Sequence, residues 1–474
     1  FPGTYYAYAA ALALFGESPT GVHLGLIVVN SLAGVAVFLL AWRWIGSFGA
    51  TIAAVTFMLL SLDRGVLGTA AHATHFLLVP LLWGVVVLMR PATMRSHLIA
   101  GALFGLAVVM KQQAGVFLPF VLAYVAWTTR AVQGQPWSGV ARACVAVACG
   151  AATPLVLLFL LLYSQGVFGR FWFWTFDYAR AYASVVPLSL AWPALKLAWS
   201  PLTQHTAAFW YIGAAGLVAL WCGGWPRPMR FLITGWWVAA FLAVCPGLYF
   251  REHYFVILLP VVAITLGVGA ATLARLVSAR FGAWAVGCAF AALVSLWVTN
   301  NWPYLTTMTP RELSRALYGT NPFVESPEVG VFLRTRTGPD DRIAVIGSEP
   351  QIYFYANRLS ATGYIYTYAL MEPQPFAPRM QREMIEEIEA AAPKFIVVVP
   401  MVTSWAPLPT SDRGILDWTE RYTSRCYRRV GVVDIYSPES STVLWDEAAS
   451  TYRPRSGQIM FTFERRTDGP CQAS

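Results

Sequence analysis

Tyr254-Phe-Val-Ile-Leu-Leu-Pro-Val-Val-Ala-Ile-Thr-Leu-Gly-Val-Gly-Ala-Ala-Thr-Leu-Ala-Arg-Leu-Val277 carries one charged side chain, Arg275, close to its end. Polar and apolar residues do not alternate along it, so a half-buried strand does not account for it. A helix of about 20 apolar residues spans the hydrocarbon core of a bilayer, within a range of roughly 17–25. Runs of the same kind recur at 22–42, 67–89, 140–163, 207–223, 230–248 and 282–299. Shorter runs fill 48–62, 98–111 and 114–129, where Lys111 to Gln113 interrupts the apolar surface. These read as short spans or a re-entrant pair. About ten transmembrane helices are expected.

Composition agrees with that reading. Of 474 residues, 57% are hydrophobic and 12% charged, with 20 Trp and 28 Phe. A soluble domain carries about 25% charged residues, so an ordinary cytoplasmic enzyme and a disordered tail are both excluded. The net charge of +9 divides unevenly along the chain. Residues 1–299 hold 15 Lys and Arg against four acids, whereas 300–474 hold 18 against 20. The excess base therefore lies in the apolar part, where it reports membrane orientation rather than a nucleic-acid partner.

Assigning residues 1–21 to the outer side puts Arg43, Arg90, Arg95, Arg130, Arg142, Arg227, Arg230, Arg275 and Arg280 in inner loops. The short outer loops keep only Arg64, Lys111 and Arg251, and all four acids, Glu17, Asp63, Asp177 and Glu252, also fall outside. That alternation follows the positive-inside rule. It places 164–206 and everything from residue 300 outside a plasma (inner) membrane. A first loop outside needs an earlier span to carry it there, and the chain opens at Phe1 with Pro2-Gly3-Thr4-Tyr5-Tyr6. At least one helix and part of an outer loop are therefore expected upstream.

From residue 300 the pattern changes. Arg342–Gly347 and Lys394–Val399 read as buried strands, with a Glu-rich helix at Met380–Ala391 between them and further helices near 326–337 and 415–426. The expected organisation is a multi-span domain over 1–299 and an extracytoplasmic α/β domain over 300–474. Five cysteines lie in or beside apolar runs as packing residues. Cys426 and Cys471 lie in the second domain, where a disulfide is possible. The cysteine and histidine spacing does not suggest structural zinc.

Ionisable residues at membrane depth mark candidate chemistry. Lys111-Gln112-Gln113 offers a cation and two amides to a lipid-linked phosphate; the plainer reading is a lysine snorkelling to the headgroups. Tyr249-Phe-Arg251-Glu252-His253-Tyr254 is denser in polar groups than an interfacial belt requires. There Arg251 suits bidentate phosphate contact, and Glu252 and His253 suit proton transfer or metal ligation. His72 and His75 share one helical face but make an incomplete metal site, and read as helix-end residues meeting water. Asp63-Arg64 reads as a local surface pair. The stretch Phe168-Gly-Arg-Phe-Trp-Phe-Trp-Thr-Phe176, followed by Asp177, Tyr178, Arg180 and Tyr182, reads as an interfacial amphipathic helix, with sugar stacking as the alternative. Gly347-Ser348-Glu349-Pro350 follows a strand, yet without GxGxxG or a Walker lysine it does not suggest nucleotide binding.

Several of these stretches together carry a resemblance: Pro2-Gly3-Thr4-Tyr5-Tyr6 leading to Leu14-Phe-Gly-Glu-Ser18 and Asn30, Lys111-Gln112, Arg251 to Pro260, Gly347 to Tyr353, Tyr364-Ile-Tyr366 and Pro393 to Val397. The chain resembles GT-C superfamily membrane glycosyltransferases of family 39, the protein O-mannosyltransferase and aminoarabinose transferase group. The resemblance implies a sugar carried on a polyprenyl phosphate. It also implies inverting attack by an acceptor hydroxyl on the outer face, a carboxylate base in the first outer loop, and basic residues holding the leaving phosphate. Lys111, Arg251, Gln112, His253 and Tyr254 are the expected donor-phosphate residues. The family's acidic motif precedes Pro2, so the base is unassigned and a chain starting at Phe1 is expected to be inactive until the upstream segment is restored. Expected partners are the lipid donor, membrane lipids and a protein, lipid or polysaccharide acceptor. No cofactor is expected, and a divalent metal is left open. The rival reading is a transporter or flippase of a lipid-linked saccharide, against which the sizeable second domain and the lack of repeat symmetry both count.

Overall fold

The computed structural model describes residues 1–278, 280–467 and 471. They form two compact units, Phe1–Asn301 and Trp302–Ser474.

The first unit is helical throughout. Its elements are α1 (Gly3–Phe15), α2 (Pro19–Leu62), α3 (Ala73–Leu88), α4 (Met94–Met110), α5 (Phe117–Trp127) and α6 (Trp137–Ser164). Then come the short α7 (Phe168–Trp172) and α8 (Tyr178–Ala183), α9 (Ala191–Thr203), α10 (Ala207–Cys222), α11 (Arg227–Val244), α12 (Leu259–Val277) and α13 (Gly282–Asn300). Each of the ten apolar runs is helical. The runs at 22–42 and 48–62 are the two halves of α2, which breaks at Gly46 where φ is 68° and ψ is 178°. At 1.5 Å per residue an unbroken helix of this length would exceed twice the bilayer core. The left-handed φ at Gly46 makes the break, and glycine takes it without a Cβ penalty.

Among the described residues, five helices are long and apolar enough to cross a membrane, or six if the bent pair Phe168–Ala183 and Leu188–Thr203 (69°) counts as one span. Three apolar helices of 10–17 residues join them, Ala73–Leu88, Met94–Met110 and Ala207–Cys222. The protein is a multi-pass membrane protein.

Helix pairs approach closely where side chains are small, as expected where lipid leaves dispersion and close packing to hold helices together. A Cβ on Gly101 would fall 2.2 Å from the Val147 carbonyl oxygen, and one on Gly105 2.1 Å from that of Ala151, which seats α4 on α6. Gly216 meets the Thr265 carbonyl in the same way, joining α10 to α12. α1 rests on the end of α4, where Thr4 Oγ1 donates to the Met110 carbonyl at 2.8 Å. That contact fixes the helix end carrying Lys111.

The second unit contains α14 (Pro310–Tyr318), α15 (Ser326–Arg336), β1 (Ala344–Ile346), α16 (Gln351–Ala356), α17 (Tyr368–Met371), α18 (Ala377–Ala391), β2 (Phe395–Val398), α19 (Val402–Trp405) and α20 (Gly414–Cys426). It finishes with β3 (Tyr427–Ser437), β4 (Ser440–Trp445), α21 (Asp446–Thr451) and β5 (Ile459–Arg465). The sheet order is β1-β2-β5-β3-β4, with β1 and β2 parallel and every other pair antiparallel. Strand alternation sends Val345 and Val397 into a core with Val329, Phe332 and Leu333 of α15. Neighbouring Ile346 and Ile396 are also fully buried. Cys426 and Cys471 form a disulfide, with Cα atoms 5.3 Å apart. The hairpin β3–β4 and strand β5 go beyond the two strands legible in sequence.

Candidate functional site

Three chain segments meet at one end of the helical unit. The first is the exit of α4. Helix geometry stops at Met110, Lys111 is extended (φ −156°, ψ 132°), and a 3-10 turn takes over at Gln112–Val116. Lys111 Nζ donates to Thr74 Oγ1 at 2.9 Å and stands 4.4 Å from the centre of the Tyr254 ring, a cation–π distance.

The second segment is the entry to α3, where His72 is the N-cap and Thr74 lies in the first turn. The His72 imidazole stacks on His253, with centroids 4.1 Å apart and planes at 12°. His75 is completely buried. His72 Nε2 and both ring nitrogens of His75 have no hydrogen-bond partner among the described residues. Buried polar atoms are seldom left unpaired, so these nitrogens are open to a ligand or to water.

The third segment is the turn after α11. Gly247, Leu248 and Phe250 all have positive φ (76°, 55° and 45°). Non-glycine residues rarely adopt that region, and strain of this kind gathers at functional sites. The turn sends the Tyr249 ring onto Tyr182, 4.6 Å away and nearly parallel. Arg251 Cζ lies 5.5 Å from the Tyr249 ring centre. A seven-residue 3-10 stretch, Glu252–Leu258, follows and presents His253 and Tyr254, whose rings meet edge-on at 4.8 Å. The charged groups acting on His253 are His72, Lys111, Arg251 and His75, all basic.

Lys111, His253 and Tyr254 are thus in one cluster, and Arg251 acts on it from the aromatic turn. Gln112 turns aside, and its amide nitrogen donates to the Thr175 carbonyl in the aromatic segment. That segment contributes Tyr182 through the Tyr249 stack. His75 is enclosed rather than meeting water as a polar helix end, and the half-buried His72 is stacked on His253. Asp63 also departs from its surface reading. It is 1% exposed, Oδ1 accepts the Gly65 amide at 2.9 Å, and Oδ2 has no partner. Arg64 turns away and donates to Asn301 Oδ1 at 3.1 Å. Among the described residues, no group of three or more His, Cys, Asp and Glu side chains is placed to hold a metal ion.

Residues 2–152 match the model of the dolichyl-phosphate-mannose-protein mannosyltransferase family. Over nearly its whole length the chain also superposes on solved structures. ArnT from Cupriavidus metallidurans bound to undecaprenyl phosphate aligns with 99% of this chain and 88% of its own, at TM-score 0.57 and 12% identity. The chain shares the fold of that protein. Apo ArnT from the same organism aligns with 95% of this chain and 88% of its own, at TM-score 0.54 and 14% identity. The apo Archaeoglobus fulgidus oligosaccharyltransferase aligns with 94% of this chain and 66% of its own, at TM-score 0.51 and 15% identity. No curated protein sequence matches the chain. At such identities the likeness establishes the fold alone, and the site residues rest on their own geometry.

Proposed function

We propose that this protein is a GT-C glycosyltransferase that takes a sugar from a polyprenyl-phosphate donor and passes it, with inversion, to an acceptor hydroxyl on the outer face of the membrane. The observation that carries the reading is the basic cluster of Lys111, His72, His75 and His253 beside Tyr254, with unpaired imidazole nitrogens on His72 and His75. Such a group suits a phosphate dianion. Lys111 supplies the charge, the imidazoles supply directional donors, and Arg251 adds a planar fork. The family match over residues 2–152 and the ArnT structure with undecaprenyl phosphate support the donor class.

The reaction breaks the bond between the anomeric carbon and the phosphate oxygen, and the electron pair leaves on the phosphate. The acceptor oxygen bonds to the same carbon from the opposite face and gives its proton to a base, which is not assigned. Negative charge grows on the phosphate oxygen as the bond breaks, so fixed cations there stabilise the transition state more than the ground state.

The test uses protein expressed from its complete natural gene, in membranes with a radiolabelled polyprenyl-phosphate sugar, with Arg251→Ala in parallel. Label moving from lipid to an acceptor, and ceasing to move in the variant, is the expected result. Label that crosses the bilayer still attached to its lipid identifies a flippase and overturns the proposal.

A further inference from the structure

The second unit contains a cavity that the transfer reaction does not use. It lies at the carboxyl ends of the parallel strands β1 and β2, where α/β sheets commonly take ligands. Its volume is about 540 Å³, within the roughly 300–1,000 Å³ of small-molecule sites. Val398, Phe461 and Phe463 form the floor, Trp405 a wall, and Thr419 and Thr423 of α20 the roof.

The polar atoms of this lining are already committed. Thr419 Oγ1 donates to the Ile415 carbonyl and Thr423 Oγ1 to the Thr419 carbonyl, both at 2.7 Å. Trp405 Nε1 donates to the Val399 carbonyl at 2.9 Å. The threonines therefore offer methyl groups to the cavity and the tryptophan its ring. A water molecule there would find few of the two to four polar partners it needs, so the interior suits hydrocarbon.

Charge is confined to the two lining residues Arg413 and Glu420. Arg413 immediately precedes α20, a 13-residue helix, and the positive end of the helix dipole lies beside it. Its guanidinium has no ion-pair partner among the described residues. Glu420 lies seven residues on, about 10 Å along the axis. An elongated ligand is therefore favoured with its anionic end at Arg413 and its apolar body in the cavity.

We infer that this cavity is a binding site for a single-chain lipid anion, with its headgroup on Arg413 and its chain between the sheet and α20. The inference stands apart from the donor-phosphate reading, since every residue of the cavity lies in the second unit.

The test uses the whole protein in nanodiscs of zwitterionic lipid and a decanoic acid probe carrying a terminal diazirine. After illumination, labelled peptides are mapped by mass spectrometry. Labelling is expected within residues 398–423, competed by decanoate or decyl phosphate but not by decyltrimethylammonium. Arg413→Gln, an exposed substitution, is expected to lower that labelling about tenfold at limiting probe, and Thr419→Trp to abolish it by filling the space. Label confined to the helices of the first unit, equal competition by the cation, or unchanged labelling in Arg413→Gln overturns the inference.

Discussion

The imidazoles of His72 and His253 lie face to face, 4.1 Å between centroids, and so join the start of α3 to the strained turn that follows α11. Lys111 joins both, through Thr74 on one side and the Tyr254 ring on the other. Basic groups from three separate segments gather here against their mutual repulsion, an arrangement that a bound phosphate would stabilise.

His72→Phe keeps a flat ring on His253 but removes the nitrogens. A hydrogen bond to a charged group contributes about 1.5–3 kcal/mol. The expected result is a KM for the lipid donor raised at least tenfold, in protein that purifies and unfolds like the parent. Steady-state kinetics with varied donor measures it, and an unchanged KM would detach His72 from the site.

Lys111→Met removes the cation while keeping most of the apolar stem. Losing one preorganised charge-stabilising group costs about 100-fold or more in turnover. Lys111→Arg is expected to recover part of that activity. The same loss in both variants would mean that shape rather than charge matters at this position.

The apolar helices and the strands β1 and β2 were legible because each is a continuous run with its own period. The break in α2 was legible too, from Arg43 between the runs 22–42 and 48–62. The meeting of His72 with His253 was not, because nothing local to either residue refers to the other. Asp63 and Arg64 looked like a surface pair because adjacent opposite charges usually are one. The turn Arg64–Val66 instead encloses the carboxylate. The β3–β4 hairpin and β5 were obscured by arginines at Arg428 and Arg429 and by the mixed polarity of Ser440–Trp445, a half-exposed strand.

In the second unit, Glu349 is buried, and its carboxylate accepts from Ser404 Oγ at 2.8 Å. Burial pushes its pKa up to about 7, only partly offset by that hydrogen bond. The folded state thus holds the proton more tightly than the unfolded one. The stabilisation is complete below the unfolded pKa and is lost as pH rises from about 4.5 through 7, amounting to about 3 kcal/mol. Thermal unfolding at pH 5 and pH 8 is expected to show a lower midpoint at the higher pH, and Glu349→Gln to remove most of the difference. Parallel pH profiles for the two proteins would contradict this.

Arg315 and Glu325 form an ion pair whose side chains are 7% and 2% exposed. Arg315 also donates to the carbonyls of Gly319 and Asn321 at 3.2 and 3.1 Å. Removing one partner leaves a buried charge and two carbonyls unsatisfied, a cost of about 3–5 kcal/mol. Arg315→Met is expected to lower the denaturation midpoint of the second unit markedly. Arg336→Met, which breaks the exposed pair with Asp446, is expected to cost about 1 kcal/mol or less. Equal effects from the two would show that burial does not govern these pairs.

The most direct test of the donor site is the affinity of the protein for polyprenyl phosphate, measured by native mass spectrometry beside uncharged polyprenol. Wild-type protein should prefer the phosphate, and the double variant Lys111→Met/His72→Phe should bind it at least tenfold more weakly while holding polyprenol unchanged. Equal phosphate affinity in wild type and double variant would contradict the assignment of the donor phosphate to this cluster.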